Sequence, residues 1–534
     1  MKALRVLGFA LFAILVAAQL VTAQRLKPIP HPLRQPGEAT IGAQALSFAS
    51  ASSPWTPLTN QPSFLLDGAA NPILMTDGTV LVQNAAFPDW WKLTPDKFGS
   101  YVNGAWTQVA STPDGYSPLY HSSAVLPDGR LIIEGGEYLL SADQTALVAT
   151  WTPLGAIYDP LADTWRSVVP PAFFTGFGKH PQTIGDAQSV VLANGTYMQA
   201  NCCTKESALL DAKTLTWTPT GTGKFDINDE EGWTLLPNKK VLTVDAYVLA
   251  YDATATGSEI YNPKSGTWTS AGSTIAQLWD SCGGATAASQ EVGPGVLRPD
   301  GTVFYTGANG CGAAHTAIYN SYSGKWKAGP DFPGNLSISD GPAALETNGK
   351  VLMMASPGDG SFGAAFFEWD GKNLTQVPGT PNAPGDKAFF GNMLVLPTGQ
   401  ILLTDFSNDI EIFTPAASHR GEQESAPLVV FTPLLLSRGS SHQIFGFRFN
   451  GMSQAAAYGD DVQAASNYPL VRITNVHSGH VFYSRTHDHS SMAVASDDLV
   501  STHFDIPDDQ EKGFSKLEVV ANGIASPPVF VFIQ

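Results

Sequence analysis

Apolar positions along this chain come in short runs broken by tight polar turns, not at helical spacing. A four-residue turn, preceded by an apolar run and followed by a β-rich one, recurs seven times. The copies span Met75–Gly78, Leu126–Gly129, Leu192–Gly195, Leu236–Lys239, Arg298–Gly301, Glu346–Gly349 and Leu396–Gly399, spaced 44 to 66 residues apart. Glycine ends six of them and supplies the positive φ that a tight hairpin needs. Lys239 ends the fourth, which predicts a turn built differently there. After each hairpin a second signal follows: an apolar run closing in Tyr-Asp-Pro or a relative, then a short turn, then Trp. Tyr158-Asp159-Pro160 precedes Trp165, Tyr261-Asn262-Pro263 precedes Trp268, and Tyr319-Asn320 precedes Trp326, with Trp106 and Trp217 in equivalent places. One four-stranded sheet per repeat, with an aromatic packed between neighbours, accounts for the pattern.

The seventh repeat is incomplete. Ile412-Phe413-Thr414-Pro415 has no Trp after it, whereas an orphan Trp55-Thr56-Pro57 stands before the first repeat. Closure of a ring by that N-terminal strand removes two exposed sheet edges, so the expected fold is a seven-bladed β-propeller over residues 51–416. Beyond Ala416 the period stops. A polar linker (417–426) leads to seven short strands within 427–534, the pattern of an immunoglobulin-like β-sandwich. The fold class is therefore all-β.

Composition agrees: 14% of residues are charged, with 51 Gly and 38 Pro. Residues 1–23 read as a cleaved signal peptide, with Lys2 and Arg5, an apolar stretch from Val6 to Leu20, and Val21-Thr22-Ala23 as the cleavage site. Residues 24–50, rich in Pro, Ala and Ser, form an arm. Export is the expectation, and export permits disulfides. Loss of Lys2 and Arg5 takes the net charge from −18 to near −20. Such a surface disfavours nucleic acid and anionic lipid, and no membrane insertion is expected. A monomer that takes neutral sugars, cationic ligands or metal ions remains.

The repeats resemble kelch repeats, and a kelch propeller followed by such a sandwich resembles the galactose oxidase and glyoxal oxidase family over almost the whole mature chain. That resemblance implies copper at the propeller mouth, held by two tyrosines, a histidine beside the second, and a histidine from the C-terminal domain, with a cysteine cross-linked to the first tyrosine. Tyr120, nine residues before Gly129, occupies the place of the cross-linked tyrosine and is the candidate catalytic residue. Ala69 stands where the cysteine belongs, and Phe389-Phe390 where the Tyr-His pair belongs. His487, within Arg485-Thr486-His487-Asp488-His489, is the counterpart of the domain histidine. Alanine forms no thioether and phenylalanine binds no copper, so the radical-copper set is incomplete.

The same ring of positions carries acids. Asp186, Glu230 and Asp340 lie nine residues before their turns, Glu291 one residue off, Asp67 nearby in the first repeat, and His121 beside Tyr120. Inner strands start at the channel mouth, so these side chains are expected to converge there. They suit a divalent metal such as calcium or copper, or else they accept backbone N–H bonds between sheets. His487 and His489, two apart on a strand, face one side and join His121 as candidate metal ligands. Tyr458-Gly459-Asp460-Asp461 reads as a loop with two carboxylates, either a surface turn or a ligand contact. Of four cysteines, Cys282 and Cys311 flank one inner hairpin and are the favoured disulfide. Cys202 and Cys203 are then free or joined to each other.

The reading is a carbohydrate or small polar ligand bound at the mouth, with a metal as the conceivable cofactor. A copper oxidase of alcohols or aldehydes with a rearranged ligand set, and an extracellular scaffold or adhesion protein without a small-molecule site, are the alternatives.

Overall fold

A computed structural model describes residues 29–30, 53–178, 180–247, 256–280, 291–309, 312, 314–358, 360–416 and 424–534. The expected leader, most of the arm, and the Cys282–Cys311 pairing lie outside the described residues. The architecture is all-β. Seven successive antiparallel sheet units follow the seven repeats. The first joins Ala69–Leu74, Val80–Asn84, Trp90–Thr94 and Ala105–Val109, and the second Ser122–Val125, Leu131–Glu134, Gly155–Asp159 and Thr164–Val168. The third, fourth and fifth begin at Ser189–Val191, Thr234–Leu235 and Val292–Leu297 and end at Thr216–Thr220, Thr267–Ser270 and Lys325–Ala328. Ala343–Leu345, Val351–Pro357, Ala365–Trp369 and Leu374–Val377 form the sixth. The seventh has Asn392–Val395, Ile401–Thr404 and Glu411–Phe413, and its outer strand is Trp55–Pro57, with Trp55 opposite Phe413.

Each unit touches the next. Asn71 Nδ2 donates to Ser123 Oγ at 3.0 Å, Gln199 Nε2 to Ser122 Oγ at 3.0 Å, and Thr234 Oγ1 to the Gly295 carbonyl at 3.1 Å. Thr220 Oγ1 and the Tyr261 hydroxyl share a bond of 2.6 Å. Phe304 stacks on Trp369 at 4.8 Å, and Trp55 meets Phe366 at 4.9 Å. Thr404 Oγ1 then donates to the Ala70 carbonyl at 2.9 Å, so the seventh unit meets the first and the series closes. The repeated aromatics do what their spacing implied, filling the wedge between sheets.

The fourth turn corrects an expectation. Lys239 adopts φ +67, matching the glycines at +76 to +86 in the other six turns, and its N–H bonds the Leu236 carbonyl at 2.9 Å as Gly78 bonds Met75. The turn is thus the same one, and lysine takes a left-handed conformation there. Its ammonium reaches Asp498 of the C-terminal region at 2.7 Å, an exposed pair.

In the C-terminal region two sheets face each other. One orders Leu428–Phe431, Ser440–Phe447, Val500–Ile506 and Thr486–His487; the other Leu435–Leu436, Val529–Ile533, Gly513–Ala521, Leu470–Asn475 and Val481–Ser484. Period-2 burial along Val500–Ile506 sends Phe504 and Ile506 inward, against Ile444, Ile473, Leu517 and Val531. This body sits on the turn ends of the repeats: Thr486 N–H bonds the Thr76 carbonyl at 3.1 Å, His489 N–H that of Pro127 at 3.1 Å, and Met492 N–H that of Ala193 at 3.0 Å.

Trp55 is 6% exposed, donates from Nε1 to the Pro378 carbonyl at 2.7 Å, and packs on Phe413 as well as Phe366. Trp55→Ala is expected to cost about 3–5 kcal/mol. Chemical denaturation checks this; a loss below about 1 kcal/mol would mean the ring holds without its closing strand.

Candidate functional site

The residue nine before each turn sits where the chain enters its inner strand. At Tyr120, Glu230 and Asp340 that residue itself is left-handed, with φ of 52, 60 and 52°. Non-glycine residues held there cost on the order of 1–3 kcal/mol each, and such strain concentrates at functional sites. In the third unit Gly185 takes the positive φ (72°) and Asp186 follows.

These residues line one cavity of about 380 Å³. Its walls carry Tyr120, Tyr138 and Phe389, and eight carboxylates: Glu137, Asp186, Glu230, Asp280, Glu291, Asp340, Asp460 and Asp461. Among the described residues, no lysine, arginine or histidine lines it. Oxygens of Glu230, Glu291 and Asp340 lie within 4.8 Å of one another. Two unit charges at that separation repel by about 3–4 kcal/mol at an effective dielectric near 20. Burial, then the neighbouring acids, push Glu137, Glu230, Asp340 and Asp460 well above the usual carboxylate range. Glu291 is raised likewise, by burial and Asp340. Burial lifts Asp186 to about 6 and, with the charge of Asp186, Asp461 to about 7, the backbone N–H of Val462 partly opposing the latter. Eight acids in this volume cannot all ionise without a counter-charge.

Two of the eight come from the C-terminal region. The segment Ser453–Tyr468 leaves the sandwich and runs up inside the ring. Ala456–Ala457 pair with Ala343–Ala344 of the sixth unit, and Leu345 N–H bonds the Ala455 carbonyl at 2.6 Å. Gln454 Oε1 accepts from Leu235 N–H at 2.7 Å, Gln463 Oε1 from Ser189 N–H at 3.2 Å, and the Gln463 carbonyl from Ser123 Oγ at 2.6 Å. Tyr458 OH donates to the Phe389 carbonyl at 2.7 Å, and Tyr468 OH to that of Leu74. At the tip Gly459 passes so close to Asp340 that a Cβ would lie 1.7 Å from Oδ1, so only glycine fits. Asp460 and Asp461 follow, 2% and 1% exposed. One Asp460 oxygen accepts from Asp461 N–H at 2.8 Å; neither Asp461 oxygen is in a well-formed hydrogen bond with protein.

Several expected site residues lie elsewhere. Asp67 is buried and its N–H bonds Asn84 Oδ1 at 3.2 Å; two residues before Ala69, it is off the cavity wall. His121 alternates away from Tyr120 into the wedge between sheets. There Nε2 meets Gln83 Oε1 at 2.9 Å, Nδ1 meets the Ser122 carbonyl at 3.1 Å, and burial lowers its pKa to about 4. Both of its nitrogens are engaged by protein, so it offers no lone pair to the cavity. His487 and His489 sit at the turn end of the channel, roughly 20 Å from Tyr120 by strand length. They do not share a face: His489 is buried, bonded to Thr502 Oγ1 at 2.8 Å and lowered to about 3 by burial, whereas His487 is on the outer surface of its sheet. The domain segment that enters the channel is therefore the Asp460-Asp461 loop. Cys202 and Cys203 are joined to each other.

No family model and no curated protein matches the chain. Among solved structures, a fungal alcohol oxidase of the AA5 family in complex with copper is similar at 12% identity and TM-score 0.46, covering 90% of this chain and 99% of that one. Virginiamycin B lyase from Staphylococcus aureus is similar at 10% identity and TM-score 0.42, over 68% and 98%. YCF48 bound to D1 peptide is similar at 12% and 0.43, over 69% and 98%.

Copper chemistry fits these residues poorly. Tyr120 faces the cavity, but Ala69, Phe389 and Phe390 offer no ligand, and among the described residues no imidazole or thiolate lines the walls. The donors are carboxylate oxygens, which suit hard cations.

Asp186 and Asp461 have folded pKa values raised above their ordinary ones, so their contribution to stability is complete below about pH 4 and is lost as pH rises through about 6 to 7. Chelator-treated protein is expected to melt at progressively lower temperature between pH 4.5 and 8, the loss being on the order of a few kcal/mol. Asp461→Asn should flatten that slope; an unchanged slope would mean the acids are not in mutual repulsion.

Proposed function

We propose that the protein is a secreted seven-bladed propeller with an immunoglobulin-like C-terminal domain, whose channel mouth binds a hydroxyl-rich ligand, a carbohydrate by preference, through a divalent cation of the calcium type. The observation that carries this is Asp461: fully buried, without a well-formed hydrogen bond, and delivered by a threaded loop to the cluster of Glu230, Glu291 and Asp340. Calcium takes six to eight oxygen ligands in adaptable geometry, and a cation among these acids offsets their repulsion. Ligand hydroxyls complete its coordination, while Tyr120, Tyr138 and Phe389 offer faces for the apolar side of a sugar ring. A volume of about 380 Å³ accommodates a small ligand.

The oxidase alternative lacks its ligands. The scaffold alternative differs in one respect that can be measured, since it expects no cation.

Calorimetric titration of chelator-treated mature protein with Ca²⁺ should show saturable binding, with stabilisation of about 2.7 kcal/mol at a hundred times Kd. Asp461→Asn and Glu230→Gln should each weaken it by tenfold or more, roughly the 1.4 kcal/mol of one lost charge-assisted contact. Oligosaccharide binding should require the cation. Absence of Ca²⁺ binding in the wild-type protein would favour the scaffold.

A further inference from the structure

A second group of metal-ligating side chains lies on the outer surface of the C-terminal sheet, away from the acidic cavity. Thr486–His487 pairs antiparallel with Val500–Ile506, in a register that sets His487 opposite His503. Strand alternation buries Thr502 and Phe504 and turns His503 and Asp505 outward beside His487. The two imidazoles lie nearly parallel, 5.5 Å between centroids and 20° between planes.

Both nitrogens of His487 face carboxylates. Nδ1 is 2.8 Å from Asp488 Oδ2, and Nε2 is 3.1 Å from Asp505 Oδ1 and 3.3 Å from Ser441 Oγ. A neutral imidazole has one N–H and can donate to one carboxylate only. Arg485 Nη1 holds Asp505 at 3.2 Å, so Asp505 is the anchored acceptor for Nε2–H, and the lone pair of Nδ1 is left facing Asp488. In the neutral ring, that lone pair and the carboxylate together offer a bite for a metal ion beside them. His503 supplies the next donor: its Nδ1 is buried and has no hydrogen-bond partner. One ligand atom each from His487, Asp488 and His503 falls within 4.8 Å of the others. Asp488 takes φ 52°, a left-handed conformation that aspartate tolerates, and its side chain, 63% exposed, reaches His487 from the solvent side.

We propose that His487, His503 and Asp488 bind one divalent transition-metal ion, solvent completing its coordination. Asp505, backed by Arg485, is the positioning residue that fixes the tautomer and orientation of His487, the carboxylate–histidine–metal arrangement. Two imidazoles and one carboxylate form a donor set of the zinc type, chemically unlike the all-oxygen cavity. The site is independent of whatever the cavity binds.

The test is calorimetric titration of chelator-treated mature protein with Zn²⁺ in the presence of excess Ca²⁺, with Co²⁺ absorption as a second readout. One equivalent of Zn²⁺ is expected, and Co²⁺ should give the visible bands of a nitrogen-containing, low-coordinate site. His487→Gln and His503→Gln should each abolish that equivalent, and Asp505→Asn should weaken it about 10–100-fold. Asp461→Asn, in the cavity, should leave it intact. Melting curves identify any variant that fails to fold, in which case Asp488→Asn, at an exposed position, decides. No Zn²⁺ uptake by the wild-type protein overturns the proposal, as does uptake unchanged by these substitutions.

Discussion

Inner strands arranged around an axis present backbone N–H and C=O groups to the centre, and buried backbone groups must be bonded. Here the partner is protein. Ser453–Tyr468 satisfies Leu235 and Leu345 N–H, bonds Ser189 and Ser123, and pairs as a short strand with the sixth unit. That threaded segment fastens the C-terminal sheets to the ring and closes the channel from below. It also sets the depth of the cavity, whose floor is its own tip. The small side chains of Ala455-Ala456-Ala457 and Gly459 follow from the narrowness of the passage.

The floor concentrates negative charge in a space with no basic residue on its walls among the described residues. Elsewhere the protein handles buried acids differently. Lys224, fully buried, bonds Asp226, Glu231 and Glu259 at 2.6 to 2.9 Å, so that cluster carries its own cation. Breaking such a buried pair costs about 3–5 kcal/mol, which marks it as structural. Among the described residues no lysine, arginine or histidine lines the cavity beside its acids, and the left-handed backbone at Tyr120, Glu230 and Asp340 adds strain at the same place. Strain and crowded charge thus coincide at these positions.

Much of the ring was legible beforehand. Turn spacing located every inner hairpin, and the missing Trp after Pro415 identified Trp55 as the partner of Phe413. Position nine before the turn picked out Tyr120, Asp186, Glu230 and Asp340, because an equivalent place in each repeat must lie at an equivalent height in the ring. Glu291 joined them. The same logic failed for His121, since the next residue on a strand points the other way. Glu137 and Asp280 belong to connections outside the repeat, so no periodicity exposes them. Asp460 and Asp461 were visible as a loop, and the run of small residues before them was the available sign that the loop enters a confined space.

Local signals are carried by residues close in the chain, and on these the sequence alone determined the turns, most of the strands that flank them and the acids facing one way. Contacts between distant segments carry no such signal. Only the tertiary structure decided which C-terminal loop enters the channel: the sequence pointed to His487-Asp488-His489, and it is Asp460-Asp461 that enters. It placed the histidine strand against the turns at Thr76 and Pro127, and so moved His487 from the mouth to the far end. It also paired His487 with His503, sixteen residues away, through a strand register that depends on the whole sheet.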